Sequence, residues 1–173
     1  QKEMSILFSD IRSFTTISEK MTPEENFRFL NSYLSQMGPM IRQHNGFIDK
    51  YIGDAIMALF DKNAEDAVQS AIEMQHILGD YNAGRKRAGY PPIQIGIGVN
   101  TGELILGTLG EQDRMESTVI SDAVNLAARL EGLTKTFGAS ILISEYVFQE
   151  IKEIEKYQYR FLGKLKVKGK QDV

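Results

Sequence analysis

Two aspartates stand where strands are expected to end or turn. Asp10 closes the short apolar run Ser5-Ile6-Leu7-Phe8, and Asp54 sits with Gly53 between two further apolar runs. Neighbouring strands could bring them side by side, and two carboxylates ~4 Å apart repel by about 4 kcal/mol at an effective dielectric of 20. Such a pair is tolerable when a proton or a cation lies between them. Carboxylates without His or Cys suit a hard ion, Mg2+ or Mn2+, which usually shares its shell with substrate phosphates. The plainer alternative is that Asp10 caps the next turn and Asp54 fills a hairpin position. Spacing alone favours that alternative, because Asp is common in turns.

Further candidates surround these two. Asn125 and Arg129 are four apart on an expected helix and share one face, amid Ala123, Val124, Leu126, Ala127 and Ala128. An Arg there could hold a charged oxygen in every protonation state, or the pair could simply face solvent. Residues 11–15 lie between the first strand and the first helical turns, where backbone amides can cradle phosphates. They lack the glycines and the Gly-Lys-Ser/Thr ending of a Walker loop. Lys50 precedes the Gly-Asp turn, and Lys164, Lys166, Lys168 and Lys170 alternate as on a strand edge guarded by lysines. His44 and His76 have no partner at ligand spacing. Gly96, Gly98, Gly102, Gly107 and Gly110 are expected to serve hairpin geometry.

The elements that must position these residues follow from periodicity and turn signals. Thr22-Pro23-Glu24-Glu25 gives an N-cap, a proline at the first helical position and acids in the first turn. The helix it starts carries Phe27, Leu30, Tyr33, Leu34, Met37 and Ile41, and stops near Asn45-Gly46. Residues 47–52 and 55–60 read as two strands around the Gly53-Asp54 turn. A helix over 64–88 ends before Pro91-Pro92, and residues 93–100 alternate as a strand. Thr101-Gly102 is expected to turn that strand into a second one, Leu104-Ile105-Leu106. A helix over 121–133, a strand over 140–143 and an extended segment over 157–167 complete the order. The pattern implies an α+β fold, ferredoxin-like (palm-like), with helices on one side of a mainly antiparallel sheet. A C-terminal strand-helix-strand subdomain extends it.

Bulk properties narrow the setting. The 173 residues suit one domain. A formal charge of −3 argues against general affinity for nucleic acid or an anionic membrane. There is no cysteine, which excludes disulfides and thiolate-bound zinc and fits a cytoplasmic address. No apolar run approaches the ~20 residues of a membrane span. The chain opens at Gln1 and enters a strand almost at once, as expected of a domain taken from a longer protein with upstream sensor parts.

Taken together, the pieces resemble the class III adenylyl and guanylyl cyclases over nearly the whole chain. Residues 6–15 look like that family's first metal motif, and Lys50-Tyr51-Ile52-Gly53-Asp54 like its second. Val124-Asn125-Leu126-Ala127-Ala128-Arg129 is similar to its transition-state motif, and Val167-Lys168-Gly169-Lys170 to its closing lysine segment. Any one would be weak; four in order overturn the plainer readings. The resemblance implies a reaction that uses two Mg2+ or Mn2+ ions per active site, with Asp10, Asp54 and the Ile11 carbonyl as ligands. The ribose 3′-hydroxyl of ATP would attack the α-phosphate in line, and pyrophosphate would leave. By the same resemblance Phe14 and Thr15 contact the β- and γ-phosphates with Lys168 as counter-charge. Arg129 stabilises the transition state and Asn125 positions the ribose, with Arg114 as a looser extra phosphate contact.

Lys50 would donate to adenine N1, and Thr118 would accept from N6. The Lys/Thr combination resembles the soluble, bicarbonate-responsive branch found in cyanobacteria and animals, which suggests bicarbonate as an activator. Because one chain carries both the metal acids and the Asn/Arg pair, the resemblance implies a C2 homodimer with shared sites. Three other readings remain: a guanylyl cyclase, a catalytically dead cyclase-like dimerisation or nucleotide-sensing module, and a small ferredoxin-like binding domain. A diguanylate cyclase would need a longer Gly-Gly-acid-Glu-Phe turn, which the sequence lacks.

Overall fold

A computed structural model describes residues 2–109, 116–120 and 122–164, without the side chains of 105–109 and 116–120. The chain runs β1 (Lys2–Ile11), α1 (Phe14–Glu19), α2 (Pro23–Arg42), β2 (Gly46–Ile52), β3 (Ala55–Phe60) and α3 (Ala64–Arg87). It continues through β4 (Ile95–Leu109), β5 (Glu116–Ile120), α4 (Asp122–Phe137), β6 (Ile141–Ile143), α5 (Glu145–Glu150) and a 3-10 turn, Ile154–Lys156. The strands form one sheet in the order β2-β3-β1-β4-β5. All those pairings are antiparallel, while β6 runs parallel to β4. This is the expected mixed α+β architecture, with β5-α4-β6 as its strand-helix-strand extension.

The two long helices start where the caps predict. Thr22 Oγ1 accepts from Glu25 N at 3.1 Å, and Asn63 Oδ1 accepts from Asp66 N at 2.9 Å, each satisfying an amide that the first turn leaves free. On α2 the buried stripe is Phe29, Tyr33, Met37 and Ile41, four residues apart. Phe27, expected on that face, is 67% exposed, because the stripe lies one step round the helix. On α3 the buried Ala67, Ala71, Met74 and Leu78 match the expected face.

Helices cover both sides of the sheet, which corrects the expectation of one. Alternate residues of a strand point to opposite faces. Leu7, Ile56, Ala58, Phe60, Ile95, Ile97 and Val99 belong to the larger core, with the buried stripes of α2 and α3. Met4, Ile6, Met57, Leu59 and Leu104 belong to a second cluster with Ala123 and Ala127 of α4. Asp10 is an even-numbered residue of β1 and so shares the α4 side. The residues from 95 to 109 form one continuous strand rather than two separated at Thr101-Gly102. Both of those residues stay in register with β1, opposite Ser5 and Met4. Among residues 157–164 no strand forms, so the expected C-terminal extended segment joins no ladder within the described residues.

Candidate active site

The site begins with the β2–β3 turn. Ile52 pairs with Ala55, which leaves Gly53 and Asp54 as the loop. Gly53 takes the left-handed position at φ 62°, where a Cβ would be strained, while Asp54 does not have positive φ. The Asp54 side chain is thereby free to reach across to β1, where Oδ2 accepts from Ile11 N at 2.8 Å. That bond ties the second aspartate to the residue after the first. Asp54 therefore fills the hairpin position and also anchors β1 through its side chain.

The electrostatics show the strain of this arrangement. Burial pushes the Asp54 carboxyl above its ordinary range, the Ile11 amide pulls it down, and the Asp10 charge pushes it up again. A third acid joins them. Glu131 of α4 lies against Asp10 and is pushed up to about 9, first by burial, then by its hydrogen bond with Asp10 and by repulsion from Asp10 and Asp54. Arg12 opposes that shift, while its own guanidinium donates to the Ala139 carbonyl. Three carboxyls crowd together with one nearby guanidinium, an arrangement that a bound divalent cation would relieve. Among the described residues, no three acids or histidines stand close enough to enclose an ion by themselves. Two aspartates and a peptide carbonyl fit an ion whose remaining ligands come from a substrate's phosphates.

Glu131 reaches Asp10 because α4 is seated on glycines. A Cβ at Gly98 would stand 2.3 Å from Glu131 N and 2.6 Å from the Ala127 carbonyl. At Gly96 it would stand 2.2 Å from Thr134 Oγ1, and at Gly102 2.8 Å from Ala123 Cβ. Gly96 is also the register partner of Asp10. Gly96, Gly98 and Gly102 therefore let a helix approach the sheet, rather than shaping a hairpin. Asn100 fixes the start of the helix: its Nδ2 donates to the Ala123 carbonyl at 3.0 Å, and Ser144 Oγ donates to its Oδ1 at 2.6 Å.

The remaining expected site residues divide into three groups. Phe14 is half-buried and stacks on Phe29, with ring centroids 6.4 Å apart, and Thr15 is exposed. The first bond within α1 is Ile17 N to Ser13 O, so the Phe14 and Thr15 amides precede the helical ladder. Lys50 pairs in register with Met57, on the α4 side that Asp10 shares, and its Nζ lies 3.8 Å from Asp49.

Asn125 and Arg129 form the second group. Both are exposed on α4 and make no ion pair or hydrogen bond among the described residues. Ala127, Leu130, Glu131 and Thr134 turn inward, so Arg129, two residues from Glu131, points away from the carboxylates of its own chain. Thr118 belongs to the third group: its backbone pairs with Gly107, but its side chain lies outside the described residues. Lys168 and Arg114 lie wholly outside them. The structure thus joins Asp10, Ile11 and Asp54, adds Glu131, and leaves Asn125 and Arg129 facing outward.

Residues 1–173 match the family described as "Adenylate and Guanylate cyclase catalytic domain". An "Adenylate cyclase" of Anabaena cylindrica is 50% identical over 99% of this chain, which spans 35% of that protein. Among solved structures, the adenylyl cyclase CyaB from P. aeruginosa is 33% identical with a TM-score of 0.84, covering 99% of this chain and 90% of its own. The guanylyl cyclase Cya2 is 32% identical with the same TM-score of 0.84, over 99% of this chain and 88% of its own.

Proposed function

Because the chain belongs to the adenylate and guanylate cyclase catalytic-domain family, we propose that it converts ATP to 3′,5′-cyclic AMP and pyrophosphate at sites shared by two copies of itself. The observation that carries this reading is the opposition within one chain. Asp54 is locked beside Asp10 through the Ile11 amide, whereas Asn125 and Arg129 project the other way. A rigid helix cannot turn Arg129 inward without expelling Leu130 and Glu131, so a second chain is the natural source of the missing cation.

In this reading Asp10, Asp54 and the Ile11 carbonyl hold two Mg2+ or Mn2+ ions. When bound, these ions would lower the pKa of the ribose 3′-hydroxyl and neutralise charge gathering on the α-phosphate. The protein's own groups do the rest. The amides of Phe14 and Thr15, with Lys168, hold the β- and γ-phosphates so that pyrophosphate is aligned opposite the attacking oxygen. The partner's copy of Asn125 orients the ribose, and its Arg129 meets the negative charge that grows as the phosphoryl group is transferred. The exposure of Arg129 in a single chain suits that role, since its guanidinium is not committed to an internal acid.

Lys50, on the same side of the sheet as Asp10, would donate to adenine N1, and Thr118 would accept from N6. The 50% identity to an Anabaena protein named adenylate cyclase supports ATP as substrate. The likeness to a guanylyl cyclase structure keeps GTP as the second reading. Bicarbonate as activator, sensor domains elsewhere in a longer protein and a cytoplasmic location belong to the same proposal. No helix among the described residues is long and apolar enough to cross a membrane. Incubating the purified protein with ATP or GTP and Mn2+, and identifying the products by mass, tests the reaction. Cyclic AMP is expected from ATP. Cyclic GMP as the main product would reverse the base assignment, and no cyclic product from either would reject catalysis.

A further inference from the structure

Apart from the carboxylates, α2 and α3 border a cleft of about 560 Å3, whose lining includes Glu25, Phe29, Asp80, Tyr81, Arg85 and Tyr90. Arg85 is the unusual group in it. The residue is only 9% exposed, yet no acid among the described residues forms an ion pair with it. Its Nε donates to the Pro91 carbonyl at 2.8 Å. Its guanidinium carbon lies 4.9 Å from the Phe29 ring centroid and 5.4 Å from that of Tyr90. The rings offset part of the cost of burying the charge. Among the described residues the four N–H donors on Nη1 and Nη2 have no acceptor, and neither nitrogen is a buried orphan, so they open on the cleft.

A guanidinium presenting a free two-pronged edge matches the two oxygens of a carboxylate. The aromatic walls match a flat apolar body. Glu25 and Asp80, both exposed on the same lining and without an ion pair among the described residues, would repel a multiply charged anion and admit a single negative charge. Arg28, also on the lining, is engaged by Glu24 at 3.2 Å and adds little attraction. We propose that this cleft binds a small aromatic or similarly planar monocarboxylate, with the carboxylate on Arg85 Nη1 and Nη2 and the ring against Phe29 and Tyr90. The cleft lining includes none of the residues proposed to hold the nucleotide, although Phe29 stacks on Phe14.

Benzoate is the minimal probe, and its affinity is expected on the order of millimolar. Titrating it into the whole protein should move the Arg85 Nε–H cross-peak in a saturable way and raise the melting temperature. Benzyl alcohol, which has the ring without the charge, and inorganic phosphate, which has charge without the ring, should do neither at equal concentration. Arg85→Met should weaken benzoate binding at least about tenfold, the loss of one charge-assisted pair. Arg85→Lys, which keeps the charge without the fork, should also bind benzoate more weakly than wild type, and it carries the test if the Met variant does not fold. No saturable shift of Arg85 in the wild type, an equal response to benzyl alcohol, or undiminished binding to a folded Arg85 variant would each overturn the proposal. No nucleotide is present, so failure here leaves the proposed reaction standing, and failure of that reaction leaves this site standing.

Discussion

Gly98→Ala is a substitution of one methyl group that should damage both the fold and the site. The added Cβ would sit 2.3 Å from Glu131 N and 2.6 Å from the Ala127 carbonyl. Both neighbours are backbone, so no side chain can swing aside, and α4 must retreat by roughly 1 Å to reach van der Waals separation. A gap of that size forfeits a quarter to a half of each contact's dispersion energy along the seam. Ala123, Leu126, Ala127 and Leu130 of α4 would all feel it. Overpacking of this kind costs about 1–3 kcal/mol, and a backbone obstacle belongs at the upper end. At about 2–4 °C per kcal/mol for a chain of this size, the melting temperature should fall by roughly 6–12 °C. Because α4 carries Asn125 and Arg129, a misplacement near 1 Å should also lower cyclase turnover by about a hundredfold. Gly132→Ala is the control: nothing lies within 4 Å of its added Cβ, and removing a helical glycine should stabilise by about 0.5–1 kcal/mol. Calorimetry and turnover on both variants decide the matter. A Gly98→Ala protein with unchanged melting temperature would refute the close seating of α4 on the sheet.

Three further outcomes follow from the site. Asp10→Ala should abolish cyclisation while leaving the metal-free protein folded and close to wild type in urea, because the repulsion it relieves at Asp54 offsets the Glu131 hydrogen bond it removes. Near-normal activity at saturating Mg2+ would contradict the metal assignment. Asp54→Asn should lose more than the roughly 10–100-fold that an outer ligand partner is worth. Its amide oxygen can still accept from Ile11 N, so the turn should hold and circular dichroism should not change. Lys50→Glu should cut ATP use by about ten- to hundredfold, as one donor facing adenine N1 becomes an unpaired acceptor at about 1–3 kcal/mol. An unchanged ATP/GTP preference would remove Lys50 from the base pocket.

One pH effect lies outside the site. Glu150 is pushed up to about 7, chiefly by its hydrogen bond with Glu3 and then by burial and the Glu3 charge. Its folded value exceeds its unfolded one, so its contribution is present below about 4.5 and is lost as pH rises through about 7. Glu150→Gln should flatten the fall in urea stability between pH 5 and 7 on the order of a fraction of one proton's worth, since the pair is mostly exposed. Identical pH slopes in wild type and variant would contradict the pairing.

The sequence exposes the parts of the site that depend on local chemistry. Asp54 after Gly53 in a two-residue turn, Asp10 near the end of a strand, and Asn125 with Arg129 one turn apart on a helix are all local patterns. Glu131 was missed because its role comes from packing across the sheet. The one signal available was an acid on the inward stripe of a helix beside Ala127, Leu130 and Thr134. The glycines were misread for the same reason: a strand glycine shaping a turn and one admitting a helix look alike until the helix is placed. The second helix layer, which the sequence reading does not include, has its signal in parity. Even-numbered apolar residues of β1 (Met4, Ile6, Phe8) already showed that its other face also needed cover. The register of α2 slipped from Phe27 to Phe29 because both rings fit an apolar stripe, and tertiary contact with Tyr81 and Arg85 selects Phe29.

The account rests on sites built from two chains, and mixing two inactive variants measures that most directly. Asp54→Ala and Arg129→Ala should each be inactive alone, since every site in either homodimer lacks one required group. In a mixed dimer, one site collects both substitutions and the other is intact. With equal amounts and free exchange, half the dimers are mixed and each has one good site of two, so activity should recover to roughly a quarter of wild type. No recovery, with subunit exchange demonstrated by a labelled partner, would place the site within one chain and contradict the shared-site mechanism.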